Sequence, residues 1–98
     1  MKIEKEQNGS ELTLKVIGEL NTMTATELER ELKTSLTGVT SLVLDFAELE
    51  YVSSAGLRVI LSAQNVMDKQ GKMTVKSPNE EVREVFDVTG FSDFLNIE

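Results

Sequence analysis

Two adjacent serines, Ser53 and Ser54, are the residues whose type and position in this chain are best suited to chemistry. They follow an apolar segment, Leu42–Leu44, and a short acidic loop, and a predicted helix begins directly at them. The N-terminal end of a helix carries a partial positive charge and free backbone N–H groups, which favour an anion. A serine hydroxyl there can cap the helix or accept a phosphate, and the residues alone leave both roles open.

The residues after the serines bear on the same question. Gly56 in the first turn costs a helix about 1 kcal/mol relative to alanine. Tight packing beneath a strand and close approach of a partner's active site to Ser54 explain this glycine equally well. Arg58 lies four residues beyond Ser54 and therefore on the same helical face. A solvated arginine is the simpler interpretation, and pairing with a phosphate or an acidic partner is the alternative.

Two carboxylates, Glu48 and Glu50, flank the serines and could suggest acid–base hydrolysis. No aromatic or polar cleft residues accompany them, so we interpret them as solvated loop charges. A small hydrolase that uses Ser54 as its nucleophile would need a base, and the chain offers neither a histidine nor a clear lysine near the serine. We therefore predict that the protein is not an enzyme and has no catalytic residues.

The composition excludes several other classes of site. The chain has no histidine and no cysteine, which removes a Ser-His-Asp triad, thiolate chemistry and the common zinc sites. Its net charge of −7 argues against nucleic acid, whose phosphates are bound mainly by lysine and arginine. A Gly-Lys-Ser/Thr phosphate loop is also missing. We predict a binding module without cofactor or metal.

The length and hydropathy indicate a single small domain spanning residues 1–98. No apolar run approaches the roughly 18 residues of a membrane span, and the first six residues are too charged to open a signal peptide. We therefore predict no membrane association and a cytoplasmic location.

The first third of the chain predicts a hairpin and a helix. Residues 2–6 read as a charged edge strand, Asn8-Gly9 as the turn, and residues 11–17 as an alternating strand with Leu12, Leu14 and Val16 on one face. Thr24-Ala-Thr-Glu27 matches a capping box, which predicts a helix start there. The buried stripe of that helix is Leu28, Leu32 and Leu36, Glu29 and Lys33 pair on its outside, and Gly38 ends it.

The remainder alternates strands and helices. We predict a central strand at 41–46, a helix at about 54–70 that ends at Gly71, a strand at 73–76, and a helix from 79 to about 88. Residues 91–97 read as a short turn followed by a final small strand. The predicted buried residues of the two helices are Leu57, Ile60, Leu61, Met67, Val82, Val85 and Phe86.

This order, β-β-α-β-α-β-α, predicts an α/β fold with a small mixed sheet of four to five strands covered by helices. Three loops then follow the carboxyl ends of parallel strands, near Asn21, at Ser53-Ser54 and at Ser77-Pro78. The carboxyl ends of parallel strands meet at one edge of the sheet, where such folds place their sites. We expect the function at that edge.

Three segments in this order resemble the STAS domain family, and more narrowly the bacterial anti-sigma-factor antagonists. They are Gly18-Glu-Leu followed by Asn21 and Thr22, Tyr51-Val-Ser-Ser-Ala-Gly-Leu-Arg58 after Asp45, and Phe86-Asp-Val-Thr-Gly-Phe91. The resemblance covers essentially the whole chain. It implies a STAS-like fold over residues 1–98.

The resemblance implies a partner-switching function. Antagonists of this family bind an anti-sigma factor, usually a serine kinase with a GHKL-type ATP site, and so free a sigma factor. The kinase phosphorylates a serine two residues before a glycine, which here is Ser54 before Gly56, and a serine phosphatase reverses the change. Ser53 is the second choice of acceptor. The partner-binding residues that the resemblance implies are Asn21, Thr22, Ser53, Ser54, Ala55, Gly56, Leu57 and Arg58.

This chain departs from the family pattern at two positions, since Ser53 and Asn21 both stand where aspartate is frequent. Alternatives also remain open at this stage. One is a STAS adaptor without a modified serine, acting as an interaction module in a transporter, a lipid-trafficking complex or another signalling complex. Another is membership of a multi-domain sensor array, for which the chain offers no sensor extension.

Overall fold

A computed structural model describes all residues from 1 to 98 and contains five strands, three α-helices and one turn of 3-10 helix. This confirms the predicted α/β class with a small mixed sheet. In chain order the elements are β1 (Lys2–Asn8), β2 (Glu11–Leu20), α1 (Thr22–Ser35), β3 (Ser41–Asp45), β4 (Leu49–Val52), α2 (Ser54–Gln70), β5 (Lys72–Lys76), α3 (Glu80–Thr89) and the 3-10 turn (Phe91–Asp93).

Strand β2 organises the sheet. It pairs antiparallel with β1 and parallel with β3, and β3 pairs parallel with β5, so the order is β1-β2-β3-β5. The last three residues of β2 pair parallel with β4. Strands β2, β4 and β5 run in the same direction, and a helix follows each of them. The carboxyl ends of β2 and β4 lie side by side, whereas β5 ends level with Lys15, near the middle of β2.

The β1–β2 hairpin turns one residue later than predicted. Asn8 is still paired with Glu11, so the two loop residues are Gly9 and Ser10 rather than Asn8 and Gly9. Gly9 has φ = +65°, and glycine is favoured at the first loop position of a type II′ hairpin turn because it adopts this conformation without a steric penalty.

Strand β4 was not predicted, because it lies in the segment before the serines that we interpreted as a short acidic loop. The strand has four residues, of which Leu49 and Val52 are buried. Its register with β2 shifts, because Gly18 pairs with Leu49 whereas Glu19 pairs with Tyr51, which leaves Glu50 as an extra residue. A bulge of this kind breaks the two-residue alternation from which a strand is recognised.

The core consists of 24 buried apolar side chains between the sheet and its helices. Leu12, Leu14 and Val16 are fully buried on one face of β2, as predicted. The leucine stripe of the first helix is likewise buried, and the predicted Glu29–Lys33 ion pair forms at 3.8 Å. Of the buried residues predicted for the second and third helices, Leu61 is exposed and Val85 is half-buried, whereas the others are buried.

Helix α1 begins at Thr22, two residues before the predicted Thr24 cap. Asn21 is the N-cap, and Thr24 occupies the third helical position of its capping box. The sequence thus contains two possible N-cap residues three positions apart, Asn21 and Thr24, and the helix uses the first. The end of the chain is closer to expectation: a 3-10 turn at Phe91–Asp93 is followed by a single parallel bridge from Ile97 to Val75 in place of a full strand.

Candidate functional site

The first turns of α1 and α2 lie side by side at the carboxyl edge of the sheet. The backbone N–H of Ser53 donates to the carbonyl of Leu20 at 2.8 Å, and these residues lie immediately before the two helices' first turns. The third helix begins further from this edge, because the Asn79 side chain donates at 3.0 Å to the carbonyl of Leu49, the first residue of β4, while its oxygen caps α3. The predicted meeting of three loops is therefore confirmed for the first two, and the third lies beside the amino end of β4.

The two serines have different surroundings. Ser53 is the N-cap of α2, is half-buried, and its Oγ accepts the backbone N–H of Gly56 at 3.2 Å. Ser54 is the first residue of the helix, is exposed, and its hydroxyl makes no hydrogen bond within the chain. The capping role thus belongs to Ser53, and the hydroxyl that is free for chemistry belongs to Ser54.

Asn21 is the N-cap of α1, as Ser53 is the N-cap of α2. Its Oδ1 accepts the backbone N–H groups of Met23 at 3.0 Å and Thr24 at 2.9 Å. The Thr24 hydroxyl accepts the Asn21 backbone N–H at 2.8 Å and donates to the Glu19 carbonyl at 2.7 Å, which closes a capping box and ties it to β2. The first turn of α1 is therefore fixed by four hydrogen bonds.

Gly56 is required for packing. A Cβ at this position would lie 2.8 Å from Leu20 Cγ and 3.0 Å from Val52 Cγ2, both of which belong to the core. The helix can approach β2 and β4 this closely only without a side chain there. Of the two explanations that the sequence leaves open for this glycine, the structure supports tight packing against the strands.

A groove of about 280 Å³ lies between α1 and α2 beside Ser54. It brings together three of the predicted partner-binding residues, Thr22, Ala55 and Arg58. Two others, Gly56 and Leu57, are buried, so they support the site from inside. The residues that line the groove are Thr22, Ala25, Thr26, Glu29, Ala55, Arg58 and Val59.

The two carboxylates near the serines differ in their contacts. Glu48 is an exposed charge in the turn between β3 and β4, as predicted, and it also forms a 2.6 Å ion pair with Lys15. The hydrogen bond from Lys15 to Glu48, and then the charges of Glu48, Asp45 and Glu4, raise the pKa of the Lys15 ammonium above its ordinary value. Glu50 is exposed on β4, as expected of a solvated charge.

Sequence reasoning missed two residues of this edge. Met23, in the first turn of α1, is the most exposed large apolar side chain of the chain, and Tyr51 on β4 is half-exposed. No periodic pattern identifies such residues, since the same residue types usually belong to a core. Because we predicted that α1 starts at Thr24, Met23 was also not recognised as part of the first helical turn.

The structure contains no group of three or more acidic residues placed to hold a metal ion. None of its helices combines the length and the apolar character that crossing a bilayer requires.

Comparison with known proteins adds to this geometry. The sequence profile of the STAS domain matches residues 2–98. A protein of Bordetella bronchiseptica named "Putative anti-sigma factor antagonist BtrV" is 37% identical over 93 residues, which span 93% of this chain and 80% of that protein.

Solved structures share the fold at lower identity. An anti-sigma factor antagonist from Mycobacterium paratuberculosis superposes with a TM-score of 0.89 at 21% identity, covering 98% of this chain and 83% of that one. The antagonist SpoIIAA in its unphosphorylated form gives 0.86 at 19% identity, with 99% and 88% covered.

Proposed function

Because the chain belongs to the STAS domain family, we propose that it is an anti-sigma factor antagonist whose activity is switched off by phosphorylation of Ser54. In its unmodified form it binds an anti-sigma factor and frees a sigma factor in the cytoplasm. The partner carries a GHKL-type serine kinase domain that modifies Ser54, and a serine phosphatase restores the active form. The name of the 37% identical Bordetella protein supports the antagonist assignment.

The choice of Ser54 over Ser53 rests on one observation. Ser53 Oγ is held by the Gly56 N–H, whereas the Ser54 hydroxyl is exposed and free. A phosphate on Ser53 would require its oxygen to leave the helix cap, which is worth about 1 kcal/mol. A phosphate on Ser54 leaves that cap in place, so the modified domain stays folded.

Asn21 and Ser53, the two positions where aspartate is frequent in the family, fit this interpretation. Asparagine, serine and aspartate are all good N-cap residues, and Asn21 and Ser53 do cap α1 and α2. What changes is the local charge, since neither residue is ionised. The edge around Ser54 therefore carries less negative charge before phosphorylation than an aspartate-bearing edge would.

The switch is electrostatic. The Ser54 hydroxyl attacks the γ-phosphorus of ATP bound to the kinase, the bond to the ADP oxygen breaks, and the hydroxyl proton passes to a base of the kinase or to water. The product carries about −1.5 to −2 charges at pH 7. Attraction to the helix dipole stabilises this phosphate by only about 0.3–1 kcal/mol, and the negative charge of the exposed Glu50 repels it.

This added charge is sufficient to release a partner. A charge left unpaired within a protein interface costs on the order of 2–5 kcal/mol. Since about 1.4 kcal/mol corresponds to a tenfold change in the dissociation constant, affinity should fall by between one and four powers of ten. Arg58, in the groove beside Ser54, is the nearest cation on α2. It offsets the charge of the phosphate only if it is not already paired with an acidic group of the partner.

The test is phosphorylation of four purified forms: wild type, Ser53→Ala, Ser54→Ala and the double variant. Each is incubated with ATP and the purified GHKL-type kinases of its host, and its intact mass and fragments are measured. One added phosphate on wild type and Ser53→Ala, and none on Ser54→Ala, is expected. Modification of Ser54→Ala on Ser53 would overturn the choice of serine, and no modification of wild type would overturn the switch.

Binding completes the test. Ser54→Asp should bind the same kinase at least about tenfold more weakly than wild type, whereas Ser54→Ala should bind as wild type does. An aspartate variant that binds as tightly as wild type would overturn the electrostatic mechanism. Binding without any phosphorylation would indicate the unmodified adaptor instead.

A further inference from the structure

The first turn of α1 carries a side chain that the proposed function does not yet use. Met23 is 82% exposed, the highest value among the large apolar residues of the chain. Its backbone is rigid, because its N–H donates to Asn21 Oδ1 and the same asparagine closes the capping box with Thr24. An apolar side chain held outward on a fixed turn is ready to enter a recess without losing backbone freedom on binding.

Met23 lies on the helix next to the one that carries Ser54. It follows Thr22, which lines the groove that also contains Ala55 and Arg58. Asn21, two residues before Met23, follows Leu20, whose carbonyl accepts the Ser53 N–H. The methionine and Ser54 therefore stand on the first turns of two adjacent helices that open at the same edge of the sheet.

The charges around this methionine are mainly acidic. Glu27 lies one turn beyond Met23 on the same helical face, and Glu19 and Glu50 are exposed on the paired ends of β2 and β4. The cations of this region are Arg58 on α2 and Arg30, a further turn along α1. The chain as a whole carries −7, so the partner that fits here presents lysine or arginine around an apolar recess.

We propose that Met23 is the specificity-determining anchor of this antagonist: it enters an apolar recess, rimmed by basic residues, on the anti-sigma factor that docks over Ser54. The inference rests on the proposed function, because it assigns the occupant of this surface to the same partner. Methionine suits such a contact, since its flexible thioether adapts to the shape of a recess. The acidic rim accelerates encounter with the basic partner and makes it sensitive to salt.

The chain supplies a matched control. Val88 is also strongly exposed, at 76%, but it lies in the last turn of α3. That helix begins beside Leu49, at the amino end of β4, and Val88 lies about 12 Å further along its axis. Glu84, exposed on α3, is the corresponding control for Glu27.

The experiment measures binding to the GHKL-type kinase that phosphorylates wild-type protein in the test above. Met23→Ala should raise the dissociation constant at least about tenfold, mainly through faster dissociation, and Met23→Leu should restore most of the affinity. Val88→Ala should change it less than about twofold. Glu27→Gln should slow association at low salt, and Glu84→Gln should not.

The failure of this inference can be told from that of the proposed function. If wild type binds the kinase and Met23→Ala binds within twofold of it, the anchor is overturned while the antagonist function stands. If wild type binds none of the kinases, the proposed function fails and the anchor fails with it. An unchanged melting temperature of Met23→Ala shows that lost binding does not come from lost folding, since its side chain is outside the core.

Discussion

The Ser53 backbone N–H donates a 2.8 Å hydrogen bond to the Leu20 carbonyl, and this bond sets two helix starts side by side. Asn21, which follows Leu20, caps α1, and Ser53 itself caps α2. The last pairing between β2 and β4 thereby fixes the distance between the two first turns. Most of the residues that we propose for partner binding lie on these turns or directly beneath them, and Arg58 lies in the next turn of α2.

The two serines should differ in their contribution to stability. Ser53→Ala removes the oxygen that accepts the Gly56 N–H and should lower the free energy of unfolding by about 1 kcal/mol. Ser54→Ala should change it by less than about 0.5 kcal/mol, because that hydroxyl is exposed and unbonded. Urea unfolding of both variants measures the difference, and equal losses would contradict the assignment of the cap.

Gly56→Ala should destabilise the domain although alanine is the better helix former. The added methyl group would lie 2.8 Å from Leu20 Cγ, and overpacking of this kind costs about 1–3 kcal/mol against a propensity gain of about 1 kcal/mol. In a Leu20→Ala background the same substitution should cost less. A double-mutant cycle by thermal unfolding tests this coupling, and purely additive effects would speak against the contact.

Two glutamines of α2 should differ in their response to replacement by methionine. Gln64→Met removes a buried Oε1 that has no partner but also the 2.8 Å hydrogen bond from Nε2 to Asp68, so the two effects offset and stability should change by less than about 1 kcal/mol. Gln70 donates to the Leu36 and Val39 carbonyls at 2.7 Å, so Gln70→Met should cost about 1–2 kcal/mol. Chemical denaturation of both variants compares them directly, and a larger loss at Gln64 would refute the prediction.

The ion pair between Lys15 and Glu48 should stabilise the fold only below strongly alkaline pH. Its hydrogen bond and charges raise the pKa of Lys15 in the folded state. A group of this kind stabilises fully below its unfolded pKa of about 10.4, and the contribution is lost as pH rises through the higher folded value. The stability difference between wild type and Glu48→Gln should therefore be constant near neutral pH and shrink above about pH 10.4. A difference that grows with alkaline pH would contradict this assignment.

Much of the fold could be predicted because its signals are local. The alternation of Leu12, Leu14 and Val16, the leucine stripe of α1 and the limits of α2 follow from residue spacing, and the structure confirms them. Strand β4 escaped prediction because its pairing depends on a bulge and on a distant partner, the end of β2. Leu61 was wrongly placed in the core because helical spacing identifies a stripe but not how far the neighbouring elements reach around the helix.

The sequence by itself determined that the chain is a small α/β domain without histidine or cysteine chemistry, with two serines before a helix at the carboxyl edge of a sheet. These conclusions need only composition, periodicity and the direction of parallel strands. Only the tertiary structure decided which serine caps the helix, why Gly56 is a glycine, and which apolar residue remains outside the core. Each of those depends on distances between residues that are remote along the chain, such as Leu20 and Gly56, and local spacing carries no information about them.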